Sequence, residues 1–430
     1  MLIGRALGHD LTRSNPRARV VTGQDTRESS SWIADRLALG LVASGVEVHS
    51  AGVITTPGVA YLARSRKFDA GVVVSASHNP WTDNGIKVFS GDGYKLPDSH
   101  ELAIEQEIFS LLQKPESLPL PSAQPSPSVP GEAALRQAYI HWLAQPVGLG
   151  QLKVLVDCAN GAATAEAPEL FRACGLEADF INISPDGKNI NATCGALHPE
   201  VVAKVVGDQK GRYDLGITFD GDADRALFSD ANGTVVNGDG VLLMAARDLQ
   251  SRGKLPGSMI VSTTMSNMGL ELALRRSGIR MVRANVGDKY VLEEMLKSGA
   301  ILGGEQSGHI IFRDGDATTG DGLLTALRVM EIMSRTGRSL ADLVSDLQVL
   351  PQIIQNVRVR EKTPFAQVPE IQRVIQSAEQ ELDGNGRVVV RYSGTEPLAR
   401  VMVEAESGEK MRSLADSIAR AIQEALGLKG

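Results

Sequence analysis

Short apolar runs alternate with amphipathic stretches along most of the chain, the pattern of strands feeding helices in an α/β protein. The runs ARVVTG, LKVLVD and SMIVST read as strands. Downstream of each, an apolar helix end meets a glycine and then a second strand, in LVASGVEVHSAG, FRACGLEADFIN and LRRSGIRMVRAN. Gly45, Gly175 and Gly278 fall where a helix ends on a residue of positive φ before the chain enters a strand. A further strand then runs into a polar loop: AGVVV into 75–80, LGITF into 220–225, and AILG into 304–309. The pattern predicts three copies of one βαβ-rich module. Each copy presents a polar loop at the C-terminal edge of a strand, where ligands bind in open α/β sheets.

Between and after these copies the pattern breaks. KPESLPLPSAQPSPSVP (114–130) is a linker, because its prolines fix φ and remove backbone donors. DANGTVVN (230–237) reads as a turn after a strand and a second boundary, and a third falls near Leu350 and Pro351, after the amphipathic stretch 340–347. The remainder does not repeat the module: IIQNVRVR, a helical run, GRVVVRYS, VMVEAE and a closing helix from about 410 to 426. The expected segments are 1–125, 131–232, 233–348 and 352–430.

Composition narrows the class of protein. With 430 residues, 43% hydrophobic and 22% charged, the chain has room for several folded domains. A net charge of −7 gives no electrostatic reason to bind nucleic acid. No apolar run has the length of a membrane span, and MLIGRALGHDLTR lacks the apolar core of a signal peptide. Three cysteines without CxxC spacing predict neither a disulfide framework nor a zinc cluster, so the expected location is the cytoplasm.

Four loops carry candidate chemistry. In DGDADR, Asp220, Asp222 and Asp224 alternate and can converge on one hard cation; otherwise they would raise one another's pKa. An EF-hand is excluded, because its sixth and twelfth positions are Arg225 and Ala231 here. In SASHNP, followed by DNGIK, Ser77 is either a nucleophile or phosphate carrier beside His78 and Lys87, or a simple helix cap. The loop lacks the GxSxG elbow of hydrolases. In GEQSGH, Glu305 and Ser307 can hold sugar hydroxyls, although the stretch alone also reads as a plain turn. RYSGTEP offers an anion nest in Arg391, Ser393, Gly394 and Thr395, with Arg400 nearby, or else a β-turn with incidental hydroxyls.

In this order and spacing the four loops resemble the α-D-phosphohexomutase family, from about residue 20 to the C-terminus. The resemblance implies an α/β fold with three similar modules of mixed sheets and a smaller α+β C-terminal domain around a central cleft. It makes Ser77 the phosphoryl carrier and a metal contact, and Asp220, Asp222 and Asp224 the ligands of one Mg²⁺ per chain. Arg225 would lie beside the phosphoryl group and His309 at another active-site position. Lys87 would act in proton transfer, as a base only if neighbouring cations or burial lower its pKa. Glu305 and Ser307 would bind sugar hydroxyls. Arg391, Ser393, Gly394, Thr395 and Arg400 would hold the substrate phosphate.

The four segments would then be the phosphoserine, metal-binding, sugar-recognition and phosphate-binding domains. PDGKNINATCGALHPE, VGDKYVLEEM, GEQSGHIIF and TTGDGLLTAL are most similar to the bacterial members that act on glucosamine phosphates. Gln306 stands where mutases for mannose or glucose phosphates more often have Met. The implied activity is an isomerase exchanging glucosamine 6-phosphate and glucosamine 1-phosphate. It would run through a phosphoserine and a 1,6-bisphosphate, with a bisphosphate activator, in carbohydrate metabolism that supplies cell-wall precursors. The implied partner is a phosphosugar, with no nucleic acid or membrane, and the protein would be a monomer or homodimer.

A mutase for another sugar phosphate, a non-catalytic sugar-phosphate-binding homologue and a metal-dependent phosphatase are the alternatives. Two departures stand out. Family members usually open with a strand and a GTDGxRG loop, whereas this chain starts MLIGRALGHDLTRSNP, which implies a start upstream or the lack of that cationic contact. Asn285, in RANVGDKY, stands where several relatives have Lys.

Overall fold

The computed structural model describes residues 1–113, 132–145, 148–393 and 397–428. The linker expected at 114–130, and Gly394 and Thr395 of the fourth loop, lie outside the described residues. Two compact units emerge, Met1–Met265 with Met281–Val344, and Ser266–Arg280 with Ser345–Gly430.

The first unit holds the three repeats, apart from residues 266–280 of the third, which group with the second unit. The first comprises α1 (Leu2–Ser14), β1 (Arg19–Gln24), α2 (Glu28–Val42), β2 (Glu47–Val53), α3 (Thr56–Ser65), β3 (Ala70–Val74), β4 (Ile86–Ser90) and α4 (Asp98–Leu112). After α5 (Glu132–Leu143), the second comprises β5 (Lys153–Asp157), α6 (Ala167–Ala173), β6 (Glu177–Ile181), α7 (Pro199–Asp208), β7 (Leu215–Phe219), β8 (Ala226–Asp230) and β9 (Val235–Val236). The third runs through α8 (Gly238–Ser251), β10 (Met259–Thr263), α9 (Met268–Arg276), β11 (Arg280–Ala284), α10 (Asp288–Ser298), β12 (Leu302–Gly304), β13 (Ile310–Phe312), α11 (Gly322–Thr336) and α12 (Leu340–Val344).

The sheet orders are β2-β1-β3-β4, β6-β5-β7-β8-β9 and β11-β10-β12-β13. In each, the third strand pairs in parallel with the first strand of its module and antiparallel with the strand that follows it. The sheets are therefore mixed, and the three polar loops are equivalent: each is the hairpin leaving that third strand. β3, β7 and β12 are buried along their whole length, as strands covered on both faces must be. Gly45, Gly175 and Gly278 all adopt positive φ, at 84°, 70° and 70°.

Two details depart from the sequence reading. The turn in 230–237 does not end the second sheet: Asp230 Oδ1 accepts from Asn232 N and Thr234 N, and the chain returns as β9 beside β8. Of the stretch 340–347, only Leu340–Val344 is helical. Among the described residues, no helix is long and apolar enough to cross a membrane.

The second unit contains β14 (Gln352–Arg358), α13 (Pro369–Leu382), β15 (Gly386–Tyr392), β16 (Leu398–Ala405) and α14 (Gly408–Leu426). Its sheet, β14-β16-β15, is antiparallel throughout. α14 is capped by Ser407, whose hydroxyl accepts from Lys410 N, and packs Leu414, Ala415, Ile418 and Ile422 into the core with Val401 and Val403. Each fully buried isoleucine there is worth about 1.5–3 kcal/mol. Residues 266–280 group with this unit through a buried polar cluster. Glu404 accepts from Met268 N (3.1 Å), Asn267 Nδ2 (3.3 Å) and Arg387, while Asn267 also exchanges two bonds with the Leu350 backbone.

Candidate functional site

The hairpin between β7 and β8 brings one oxygen or more from each of Asp220, Asp222 and Asp224 within 4.8 Å of the others. All three are buried. Asp220 accepts from the Ser77 hydroxyl through Oδ2 and from Arg225 N through Oδ1. Asp222 Oδ2 takes the Thr56 hydroxyl and Lys87 Nζ (2.6 Å), and Asp224 Oδ2 takes the same Lys87 at 3.2 Å. Asp222 Oδ1 and Asp224 Oδ1 are buried with no hydrogen-bond partner among the described residues. Leaving a buried acceptor unpaired costs about 1–3 kcal/mol, more when it is charged. A hard cation with oxygen ligands satisfies both at once, so the donor set fits a metal ion.

Ser77 enters from the first module, in the hairpin between β3 and β4. Its φ of 52° is left-handed, a conformation that a non-glycine residue holds only when its surroundings impose it. Those surroundings are specific. Ser77 N donates to Ser75 Oγ (2.9 Å), and Ser77 O accepts from Arg27 Nη2 (2.8 Å) and from Asn191 Nδ2 (2.9 Å) of the second module. The buried Arg27 also donates to the carbonyls of Asn79, Pro80 and Asp83. Asp25 pairs with Arg27 and accepts from Ser75 and Ser30. Gly221 has no room for a side chain, because a Cβ there would lie 2.5 Å from Ser77 O. That close approach explains the glycine between the first two aspartates.

The electrostatics correct one expectation. Burial alone would lower the pKa of Lys87, but the facing carboxylates of Asp222 and Asp224 outweigh it and hold the ammonium charged. Facing these carboxylates, Lys87 does not have the lowered pKa on which a role as base was conditional. Burial, with Asp224 and Asp222 adding to it, pushes the Asp220 carboxyl well up. Burial also disfavours charge on Asp224, but Lys87 and His309 hold it well below the usual carboxylate range. Burial and the Arg225 guanidinium lower the pKa of His78.

The third module's loop joins the same site. Ala226 N donates to Gly308 O (3.1 Å), and His309 is buried with Nδ1 3.7 Å from Asp224 Oδ1. Gly320 N donates to His309 Nε2 (3.1 Å), so Nδ1, facing Asp224, is the nitrogen left to donate. Glu305 Oε1 accepts from Gly287 N (3.1 Å) at the start of α10, and Ser307 is half-buried in the same loop. Asn285 is exposed between β11 and α10. The first unit thus gathers Ser77, Lys87, the three aspartates, Arg225 and His309, with Glu305 and Ser307 on the adjoining loop.

In the second unit, Arg391 of β15 lies directly opposite Arg400 of β16. Like charges at facing positions destabilise a sheet, and an anion between them reverses the sign. Ser393 is buried, and its carbonyl accepts from Lys362 Nζ (2.6 Å).

Sequence reading missed Asp25, Arg27, Thr56, Asn191 and Lys362. Asp25 and Arg27 follow β1, next to β3 in the sheet, so the rule that ligands gather at strand C-terminal edges already pointed to them. Thr56, Asn191 and Lys362 carried no comparable signal.

Comparison with known proteins matches the chain in four consecutive stretches to phosphoglucomutase/phosphomannomutase. Alpha/beta/alpha domain I matches residues 1–114, domain II 120–233, domain III 237–350 and the C-terminal domain 355–421. A phosphoglucosamine mutase of Koribacter versatilis is 60% identical over 429 residues, covering 99% of this chain and 92% of that one. The crystal structure of a phosphoglucomutase/phosphomannomutase family protein from Burkholderia thailandensis has a TM-score of 0.78 at 25% identity, over 99% of this chain and 94% of that one. The N-acetylphosphoglucosamine mutase of Aspergillus fumigatus, solved with GlcNAc-6P and magnesium, shares the fold at a TM-score of 0.59 and 21% identity, over 87% and 93% of the two chains. Matched along nearly all of its length by sequence and by fold, the chain belongs to the phosphoglucomutase/phosphomannomutase family.

Proposed function

We propose that the protein is a phosphoglucosamine mutase that interconverts glucosamine 6-phosphate and glucosamine 1-phosphate. The observation that carries this reading is the Ser77 hydroxyl of the first module meeting Asp220 in the acidic triad of the second. A phosphoryl group on Ser77 would pass to the free hydroxyl of the bound monophosphate, whose proton would end on the Ser77 oxygen, giving a 1,6-bisphosphate whose other phosphate returns to Ser77 in exchange for that proton. Free 1,6-bisphosphate would act as activator by restoring phosphoserine when the intermediate escapes.

Asp220, Asp222 and Asp224, with the Ser77 phosphoryl oxygens, would hold one Mg²⁺, which when bound offsets charge on the group in transfer. Lys87 is held as a cation, and His309 has its Nε2 lone pair engaged by Gly320 N. Lys87 would therefore serve as a donor toward phosphoryl oxygens, beside Arg225, and His309 would act from the position facing Asp224. Glu305 and Ser307 would hold the sugar hydroxyls. Arg391, Ser393, Gly394, Thr395 and Arg400 would hold the phosphate that is not reacting. The segments 1–125, 131–232, 233–348 and 352–430 would be the domains that carry these four tasks.

Phosphorus NMR of the protein with Mg²⁺, a trace of glucosamine 1,6-bisphosphate and glucosamine 1-phosphate tests the reading. The 6-phosphate should appear, and faster than the corresponding products from mannose or glucose 1-phosphate. Inorganic phosphate without isomerisation would mark a phosphatase, and binding without turnover a non-catalytic homologue. Either result overturns the proposal.

A further inference from the structure

Thr56 is the first residue of α3 in the first module and is almost wholly buried, yet its polar atoms serve the second module. Its N–H donates to Asp222 O (3.0 Å) and its hydroxyl to Asp222 Oδ2. The preceding Thr55 N donates to Glu166 of the second module (3.3 Å), while the Thr55 hydroxyl caps α3 by accepting from Gly58 N. The first turn of α3 is thus docked on the acidic hairpin, with its positive end facing a carboxylate. Asp222 Oδ2 takes both of its donors, Thr56 and Lys87, from the first module, whereas Asp222 Oδ1 has no hydrogen-bond partner among the described residues.

We infer that Thr56 is a positioning residue for the metal site, turning Asp222 so that Oδ1 is presented as a ligand while Oδ2 is held by the first module. The inference rests on reading the triad as a metal site. A carboxylate rotates about its Cβ–Cγ bond with little resistance, so the choice of oxygen is made by its hydrogen bonds. Lys87, on a flexible stem and shared with Asp224, constrains that rotation weakly. The Thr56 hydroxyl sits on a helix whose backbone is itself bonded to the same aspartate, so it fixes the plane. Outer-shell partners of this kind typically change metal affinity by about 10–100-fold.

Thr56→Val isolates the hydroxyl, because it keeps the side-chain shape and the backbone bond to Asp222 O. Mn²⁺ binding, followed by the loss of free-ion EPR signal, is the readout, with wild type, Thr56→Val, Thr56→Ser and Asp222→Asn side by side. The expected result is Mn²⁺ affinity at least about tenfold weaker in Thr56→Val and restored to near the wild-type value in Thr56→Ser. The melting temperature without metal should stay unchanged in both Thr56 variants, while the rise on adding Mn²⁺ should shrink in Thr56→Val only. Wild-type affinity in Thr56→Val, with Asp222→Asn impaired, overturns the inference alone. Loss of affinity in Thr56→Val and Thr56→Ser alike, with both melting lower without metal, also overturns it, because the residue would then only support the fold. Absence of Mn²⁺ binding by the wild type overturns the metal reading of the triad and the inference together.

Discussion

Two hydroxyls of one loop, Ser75 and Ser77, are set apart by what surrounds them. Ser75 Oγ donates to Asp25 and accepts from Ser77 N, so its hydroxyl is consumed inside the first module. Ser77 Oγ is directed at Asp220. Intact-mass analysis of active protein should therefore find a phosphate on the Ser77 peptide, and Ser77→Ala should lose most activity with its melting temperature near the wild-type value. Phosphate on Ser75, with Ser77→Ala still active, would sink the assignment. The support of the loop can be tested at Asn191, which donates to the carbonyls of Ser77 and Asn79. Asn191→Ala should lower kcat/KM about tenfold, since two neutral hydrogen bonds at roughly 0.5–1.5 kcal/mol each bias the left-handed Ser77. An unchanged kcat/KM would show that Arg27 suffices. SASHNP was legible in the sequence because side-chain chemistry at fixed spacing marks it. Asn191 was not, because what it binds is main-chain carbonyl, which leaves no trace in residue types, and Arg27 was marked only by its place after β1.

Among the elements, the β15–β16 pair places Arg391 opposite Arg400, and the anion expected to bind beside them is the substrate phosphate. Arg391→Ala should lower kcat/KM for glucosamine 1-phosphate and glucosamine 6-phosphate alike, by about ten- to a hundredfold, the value of a charged hydrogen bond of roughly 1.5–3 kcal/mol. Arg391→Lys should recover only part of this, for want of the planar fork. If kcat/KM for both sugars stays at the wild-type level in Arg391→Ala, the nest is only a turn. The strands themselves were easy to read. AGVVV and LGITF are continuous apolar runs because both faces are covered, and each ends where polarity begins. β9 was hidden because its two residues gain strand character only from pairing with β8, a tertiary effect. The grouping of 266–280 with the C-terminal residues was hidden for a similar reason, since it rests on Glu404, more than a hundred residues downstream.

Across the first unit, Glu166 of the second module, Thr55 of the first, Tyr139 of α5 and Asp321 at the start of α11 form a buried cluster. Glu166 faces Thr55 N, Asp321 and Arg136, and Asp321 accepts from the Tyr139 hydroxyl (2.8 Å) and from Leu324 N. Burial pushes the Glu166 carboxyl up to about 8 and the Asp321 carboxyl up to about 6. A raised carboxyl keeps its proton in the folded state while the unfolded chain has lost it. Stability therefore falls as pH climbs from the ordinary glutamate value of 4.5 to about 8, by up to about 1.4 kcal/mol per unit, and levels off above. Glu166→Gln should match the wild type near pH 5 and exceed it at pH 9 in urea denaturation. Curves that run parallel between those limits would remove Glu166 as the cause.

The bonds that hold Ser77 span a long stretch of chain, and this has a consequence during synthesis on the ribosome. Asn191 and Asp220 lie 114 and 143 residues after Ser77. At about 5–20 residues per second, they are made on the order of ten seconds after it. Until then, the nascent first module has Arg27 and Ser75 to shape the loop, but lacks the second module's amide and the acids beside the hydroxyl. The Ser77 loop therefore gains its full set of hydrogen bonds only once the second module has been made.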